Sequence, residues 1–131
     1  MDYKTLAHKA VEAKANALPP YSNFKVGAAL LTTDGDVYPG CNIENSTYGL
    51  TMCAERTAIF KAISEGKRKF KAIAIASDSP DYITPCGACR QIIYDLCGEI
   101  DIICTNGNED YKIFKTSELL PLAFGDKDLK K

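Results

Sequence analysis

The sequence predicts a three-layer α/β/α fold in which helices cover both faces of a mixed, five-stranded sheet. Two strand–helix–strand units predict crossover connections, which join parallel neighbouring strands. Asp34-Gly35 lies between two strand-like segments and predicts an antiparallel hairpin ahead of the first crossover. The chain of 131 residues suits one domain, and we expect residues 1–131 to form it.

The first half of the chain alternates between helical and extended patterns. Apolar residues recur at helical spacing near the N-terminus, and Pro19-Pro20 ends that pattern because proline cannot continue a helix. Gly66 follows the second helical segment, as expected for a helix end. The predicted elements are a helix from Leu6 to Leu18, strands over 24–32 and 37–41, and a helix over 53–64.

The second half repeats the alternation and ends in a short hairpin. The segment FKAIAIAS is apolar at alternating positions, which is typical of a strand, and Asn106-Gly107 predicts a turn between two later strands. Gly98 marks the end of the helix between them. The predicted elements are strands over 70–77, 100–105 and 111–114, with helices over 87–96 and 116–120.

Composition and charge exclude several classes of partner. Sixteen basic residues balance 17 acidic ones, so the net charge of −1 provides no electrostatic surface for nucleic acid or for an anionic membrane. The N-terminus lacks the apolar core of a signal peptide, and no apolar run reaches membrane-spanning length. We therefore expect a cytoplasmic protein, in which the six cysteines are metal ligands or buried thiols rather than disulfides.

Two cysteines stand three positions apart in TPCGACRQ, residues 84–91. A C-x-x-C pair can be a redox couple, half of a structural zinc site or part of a catalytic metal site. Cys53 begins one predicted helix, and Cys86 and Cys89 lie in the first turn of the next, where the helix dipole stabilises thiolates. Consecutive crossovers bring both helix starts to one sheet edge. Three protein ligands leave the fourth position of zinc open, which favours a catalytic site.

The residues that follow Cys53 strengthen this interpretation. Glu55 is placed to carry protons beside the metal, a function that neither a redox pair nor a structural zinc site requires. Three thiolates and Zn²⁺ sum to a charge of −1, which weakens the metal as a Lewis acid. Arg56 lies one helical turn from Cys53, so its guanidinium can donate to the sulfurs and offset that charge.

C-A-E at residues 53–55, followed by P-C-x-x-C at 85–89, resembles the zinc-dependent nucleoside deaminases, and specifically the small cytidine deaminase family. The resemblance extends over most of the chain. It is carried by PYSNFKVGAAL at 20–30, GCNIENSTYGLTMCAERTA at 40–58 and LLPLAF at 119–124.

This resemblance implies a cytidine deaminase-like fold and a hydrolase that converts cytidine and deoxycytidine to uridine and deoxyuridine, with release of ammonia, in pyrimidine salvage. It implies one zinc ion per chain and a homotetramer. The implied roles are zinc binding by Cys53, Cys86 and Cys89, proton transfer by Glu55, capture of the ribose 3′-hydroxyl by Asn42 and Glu44, and stacking of Phe24 on the pyrimidine. The Ala54 backbone would contact the base, while Tyr48 and Phe124 would line a neighbouring subunit's pocket.

Two other functions stay open at the level of sequence. One is a structural zinc module for nucleic acid, which the charge balance and the lack of a fourth ligand at zinc-knuckle spacing disfavour. The other is a deaminase of a different cytosine nucleoside such as blasticidin S. His8 lies far along the chain from the cluster, and we expect Cys41, Cys97 and Cys104 to fill apolar space.

Overall fold

The structure is a computed structural model that describes residues 1–129, so Lys130 and Lys131 of the predicted domain lie outside the described residues. The strands are β1 (Val26–Thr32), β2 (Val37–Cys41), β3 (Phe70–Ser77), β4 (Asp101–Thr105) and β5 (Tyr111–Lys115). The α-helices are α1 (Tyr3–Ala13), α2 (Ala54–Ser64), α3 (Gly87–Cys97), α4 (Thr116–Leu119) and α5 (Asp126–Leu129).

The five strands form one mixed sheet in the order β2-β1-β3-β4-β5. Only β3 and β4 pair in parallel, and the other neighbours are antiparallel. The predicted fold class is therefore confirmed. The prediction of parallel neighbours was wrong for the first crossover, because β3 lies beyond β1 and pairs antiparallel with it. Almost every residue of β3 is buried, which suits a central strand covered on both faces, whereas β2 has exposed positions and lies at the edge.

Successive residues of β1 supply the two faces of the sheet. Ala28 and Leu30 face the layer of α2 and α3, where they pack with Ile59 and Ile93. Ala29 and Leu31 face α1 on the opposite side. This alternation follows from the two-residue period of a strand, and it explains why nearly all of β1 is buried.

Two glycines allow the helices to lie directly on the sheet. A Cβ atom at Gly40 would lie 2.5 Å from the carbonyl oxygen of Ala54, and one at Gly27 would lie 2.1 Å from that of Ala10. Both distances are shorter than a side-chain contact allows. Gly40 therefore fixes the start of α2 close to β2, and the residue just before that start is Cys53.

The N-terminal helix is shorter than the sequence predicts. Helix α1 begins after Asp2, whose side chain accepts a hydrogen bond from the Thr5 amide, and it passes into a 3₁₀ turn at Lys14–Asn16. Leu18 is not helical because its amide donates to the Asn42 carbonyl at 3.0 Å. The short helix α5 was not predicted. Among the described residues, no helix has the length and apolar character needed to cross a membrane.

Candidate active site

Three cysteines meet where α2 and α3 begin. Cys53 is the N-cap residue of α2, Cys86 is the N-cap residue of α3, and Cys89 lies in the first turn of α3. Their sulfur atoms all lie within 4.8 Å of one another, close to the spacing that a tetrahedral zinc ion with Zn–S distances of about 2.3 Å requires. The cluster that the sequence predicts is therefore present, and its donor set of three thiols fits zinc.

The surroundings of the cluster favour a thiolate at Cys53, whereas the hydrogen bond with Cys53 and burial raise the pKa of Cys89. The pKa of Cys53 is lowered to about 5, chiefly by the hydrogen bond from the Cys89 thiol and also by the Arg56 guanidinium. Arg56 Nη2 donates to Cys53 Sγ at 3.1 Å, and this bond raises the pKa of Arg56 in turn. The Arg56 Nε is buried without a hydrogen-bond partner among the described residues. A guanidinium held against the sulfurs offsets negative charge at the site, as the sequence predicts.

Glu55 is the buried carboxylate beside this cluster. Its side chain is only 5% exposed, and burial raises its pKa. A carboxyl group with a raised pKa binds a proton more readily than an ordinary one, which suits a general acid–base group. Glu55 lines the same cavity as Cys53 and Cys86.

That cavity has a volume of about 480 Å³, a size that accommodates a small molecule. Its lining combines Cys53, Cys86 and Glu55 with residues from the segment before β1 and the segment after β2. It is lined by Ser22, Phe24, Val26, Asn42, Glu44, Thr51, Cys53, Ala54, Glu55, Ile75, Ile83, Thr84 and Cys86.

Asn42 and Glu44 line the cavity two positions apart, as predicted, and both also hold protein backbone. Asn42 is 8% exposed; its Oδ1 accepts from the Val26 amide at 2.9 Å and its Nδ2 donates to the Phe24 carbonyl at 2.8 Å. Glu44 Oε1 accepts from the Tyr21 and Ser22 amides, each at 3.0 Å. These bonds fix both polar groups before any ligand arrives.

The predicted base contacts and the predicted subunit contacts occupy different places. Phe24 and Ala54 line the cavity. Tyr48 lies in a neighbouring depression at the cavity's edge, 71% exposed, with its ring centre 5.3 Å from that of Tyr21. Phe124 is 60% exposed and does not line this chain's cavity. Its backbone carbonyl accepts a hydrogen bond from Gln91 Nε2 at 2.8 Å.

Several lining residues were not predicted from the sequence. Ser22, Thr51, Ile83 and Thr84 belong to this group, together with the strand residues Val26 and Ile75. Ser22 lies within the PYSNFKVGAAL segment, so the resemblance contained a signal for it. Thr84 begins the TPCGACRQ segment and Ile83 precedes it, so the nearby ligand Cys86 was the sequence signal for both.

The other candidate ligands stay outside the cluster. The His8 Nδ1 lies 2.8 Å from Glu109 Oε1, on the opposite side of the sheet from α2. All six cysteines are free; Cys104 is buried as predicted, whereas Cys41 and Cys97 are only partly buried.

Comparisons with known proteins agree with this geometry. Residues 1–104 match the family model of the cytidine and deoxycytidylate deaminase zinc-binding region. The chain is 49% identical over 130 residues to cytidine deaminase of Sporosarcina psychrophila, covering 98% of this chain and 96% of that protein. The chain belongs to the cytidine deaminase family.

Solved structures support the assignment to the family. The crystal structure of cytidine deaminase from Burkholderia pseudomallei matches with a TM-score of 0.91 and 46% identity, over 95% of this chain and all of that one. The structure of cytidine deaminase from Mycobacterium tuberculosis matches with a TM-score of 0.83 and 38% identity, over 95% of this chain and 98% of that one. The predicted family, hydrolase class, fold and zinc cofactor are therefore confirmed. The roles of individual side chains stay predictions.

Proposed function

We propose that this protein hydrolyses cytidine and deoxycytidine to uridine and deoxyuridine, releasing ammonia, in pyrimidine salvage. The observation that supports this most strongly is one cavity lined by two different groups of residues. Glu55, Cys53 and Cys86 form one group, and the fixed polar groups of Asn42 and Glu44 form the other. A nucleoside has the same division, into a reactive base and a sugar.

Beside Glu55, Cys53, Cys86 and Cys89 would hold the zinc ion. When bound, zinc would supply a water molecule whose pKa is lowered to roughly 7. Glu55 accepts one proton of the attacking water and gives it to N3 of the pyrimidine, which makes C4 electrophilic. After the water oxygen adds to C4, Glu55 takes the remaining proton of that oxygen and gives it to the exocyclic amino group, so the C4–O double bond forms as the C4–N bond breaks and ammonia leaves. Burial of Glu55 supports this role because a desolvated carboxylate binds a proton more readily.

Arg56 adjusts the charge of the metal site without transferring protons. Its hydrogen bond to Cys53 draws negative charge from that thiolate, so the ligand set neutralises the ion less completely. Arg56 does not line the cavity, which agrees with an action through the ligands rather than on the substrate.

Glu44, which we assign to sugar binding, has one hydrogen-bond acceptor position left for a hydroxyl group. A carboxylate offers about four acceptor positions. Two amides and the Ser22 hydroxyl occupy three of them, which leaves one on Oε2. Asn42 keeps one N–H and one lone pair free beside it. A site that accepts a single hydroxyl binds the 3′-hydroxyl of either sugar, so both cytidine and deoxycytidine should be substrates.

The cavity lining also favours a nucleoside over a nucleotide. Its charged side chains are Glu44 and Glu55, and among the described residues no lysine or arginine lines it. The Glu44 carboxylate repels a 5′-phosphate, and no basic side chain of the described lining offsets that repulsion. Phe24, which lines the same cavity, provides an aromatic face for the pyrimidine, and the Ala54 backbone lies near enough to contact the base.

An absorbance assay across related substrates tests this function. We expect rapid turnover of cytidine and deoxycytidine. We expect at least about a hundredfold lower kcat/KM for free cytosine, because binding energy from the sugar orients C4. We expect a similar loss for the 5′-monophosphates, because the acidic lining repels the phosphate. Faster turnover of blasticidin S than of cytidine would assign the site to another nucleoside. The absence of any deamination by zinc-loaded protein would reject the proposal.

We further propose a cytoplasmic homotetramer in which Tyr48 and Phe124 complete a neighbour's pocket. The chain segments that supply cavity-lining residues also carry exposed apolar side chains that a second copy could cover, namely Leu18, Tyr21, Ile43, Tyr48 and Leu50. Phe124 is also exposed, and it does not line the cavity of its own chain. Six free thiols suit a reducing compartment. We also propose that residues 1–131 form one domain.

A further inference from the structure

The side chain of Ser22 lies between the two groups that we assign to substrate binding. Its hydroxyl donates to Glu44 Oε2 at 2.6 Å and accepts from the Phe24 amide at 3.2 Å. One short polar side chain is therefore bonded both to the proposed sugar acceptor and to the backbone of the proposed base-stacking residue. Ser22 also lines the cavity itself.

We propose that Ser22 is a positioning and specificity residue that aligns Glu44 with the substrate's 3′-hydroxyl and holds Phe24 in register with it. This inference rests on the sugar-binding role proposed for Glu44. Ser22 itself transfers no proton and does not touch the reacting carbon.

The hydrogen bonds of Glu44 explain why the hydroxyl matters. The amides of Tyr21 and Ser22 both bind Oε1, so backbone groups alone fix only one of the two oxygens. The Ser22 hydroxyl is the described partner of Oε2, the oxygen that has an acceptor position left for the sugar. Without this bond, the carboxylate can rotate about its Oε1 contacts and direct Oε2 away from the cavity.

The same bond also favours the ionised form of Glu44. The Ser22 hydroxyl is the largest cause of the lowered pKa of Glu44, followed by the Ser22 amide. An ionised carboxylate is a stronger acceptor for a sugar hydroxyl than a neutral acid, because charge-assisted hydrogen bonds are shorter and stronger.

The local backbone places Ser22 for both contacts. Asn23 has a positive φ of 56°, so the chain turns sharply between Ser22 and Phe24. The Asn23 amide donates to the Pro19 carbonyl at 2.9 Å and closes this turn. The turn brings the Phe24 amide back to the Ser22 oxygen, while Asn42 Nδ2 binds the Phe24 carbonyl from the other side. Sugar-binding and base-stacking groups are thus parts of one hydrogen-bonded unit.

Five variants of zinc-loaded enzyme test the proposal, with cytidine and 3′-deoxycytidine as paired substrates. The quantity to compare is the 3′-hydroxyl preference, defined as kcat/KM for cytidine divided by kcat/KM for 3′-deoxycytidine. Ser22→Ala should lower this preference about tenfold, mainly through KM, since a hydrogen bond to a charged group is lost. Ser22→Thr keeps the hydroxyl at an exposed position and should restore most of it.

Ser79→Ala is the matched control. The Ser79 hydroxyl also accepts from the amide two positions later, that of Asp81 at 3.1 Å, but Ser79 does not line the cavity. It should leave the preference unchanged. A Ser22→Ala variant that lowers kcat/KM equally for both substrates, or that keeps the preference, would overturn the proposal.

Glu44→Gln and the double variant separate this proposal from the one on which it rests. We expect Glu44→Gln to abolish the preference and Ser22→Ala to lower it no further in that background. If the double variant instead shows the product of the two single losses of preference, Ser22 does not act through Glu44, and its proposed role would be overturned. If Glu44→Gln keeps the full preference, Glu44 does not bind the sugar, and both proposals fail. If Ser22→Ala keeps the 3′-hydroxyl preference while Glu44→Gln abolishes it, the Ser22 proposal fails and sugar binding by Glu44 stands.

Discussion

The zinc side and the sugar side of the proposed site are built in different ways. The zinc side, formed by Cys53, Cys86, Cys89 and Glu55, lies at the starts of two helices that are packed on the sheet. The sugar side, formed by Ser22, Asn42 and Glu44, lies on loop segments that side-chain-to-backbone hydrogen bonds hold together. Glu55 is buried, whereas Glu44 is only half-buried.

The two carboxylates show what this difference achieves. Burial raises the pKa of Glu55, while hydrogen bonds from Ser22 and Tyr21 lower the pKa of Glu44. Glu55 is therefore suited to exchanging protons, and Glu44 to remaining a charged acceptor throughout turnover. Substitutions on the zinc side should lower kcat or remove the metal, whereas substitutions on the sugar side should mainly change KM and substrate preference.

The largest expected effect is loss of the metal. Cys86→Ala leaves two thiol ligands, so we expect purified protein with far less than one zinc per chain and no measurable deamination. Elemental analysis measures the metal directly. Cys97→Ala, at the opposite end of the same helix, is the control and should retain about one zinc per chain. Full zinc content in Cys86→Ala would contradict the proposed ligand set.

A smaller effect on the same side should come from Arg56. Arg56→Gln removes the guanidinium from Cys53, and we expect kcat to fall about tenfold with zinc retained, because one charge-assisted hydrogen bond is lost. Steady-state kinetics with metal analysis provides the test. Arg68→Gln, which removes a guanidinium bound only to backbone carbonyls, should have no such effect. A thousandfold loss of kcat with zinc retained would contradict the proposal that Arg56 only adjusts the charge of the metal site.

The smallest expected effect concerns contacts between subunits. If Phe124 completes a neighbour's pocket, tetramers that mix Glu55→Ala chains with Phe124→Ala chains contain pockets with both residues intact. Activity per intact Glu55 should then rise severalfold above that of pure Phe124→Ala. Co-expression with two affinity tags and sedimentation analysis would verify the mixed assemblies. Unchanged activity in mixed tetramers, or a monomeric native protein, would remove Phe124 from this role.

The zinc side could be predicted from the sequence to a greater extent than the sugar side. Cys53 and Cys86 begin helices, and crossover connections bring such helix starts to one sheet edge, so local pattern and topology agree. The contact of Arg56 with Cys53 follows from one helical turn. These relations depend on short-range geometry that the residue spacing specifies.

The sugar side depends on contacts between distant segments. The bonds between Ser22 and Glu44 need a turn at Asn23 with positive φ, which no glycine marks in the sequence. The position of β3 beside β1 was also missed, since the pattern of a buried strand does not reveal its neighbour. Helix α1 ends early because Leu18 pairs with a segment more than twenty residues away. Local propensity contains no information about any of these partners.

The most direct test of the proposed mechanism is the turnover of Glu55→Gln. This change keeps the size of the side chain but removes its ability to accept a proton, so kcat should fall by at least about a thousandfold. Zinc content should stay near one per chain, and Glu65→Gln at the exposed end of the same helix should behave as the unaltered protein. Deamination within about tenfold of normal by zinc-loaded Glu55→Gln would contradict the assignment of Glu55 as the proton carrier.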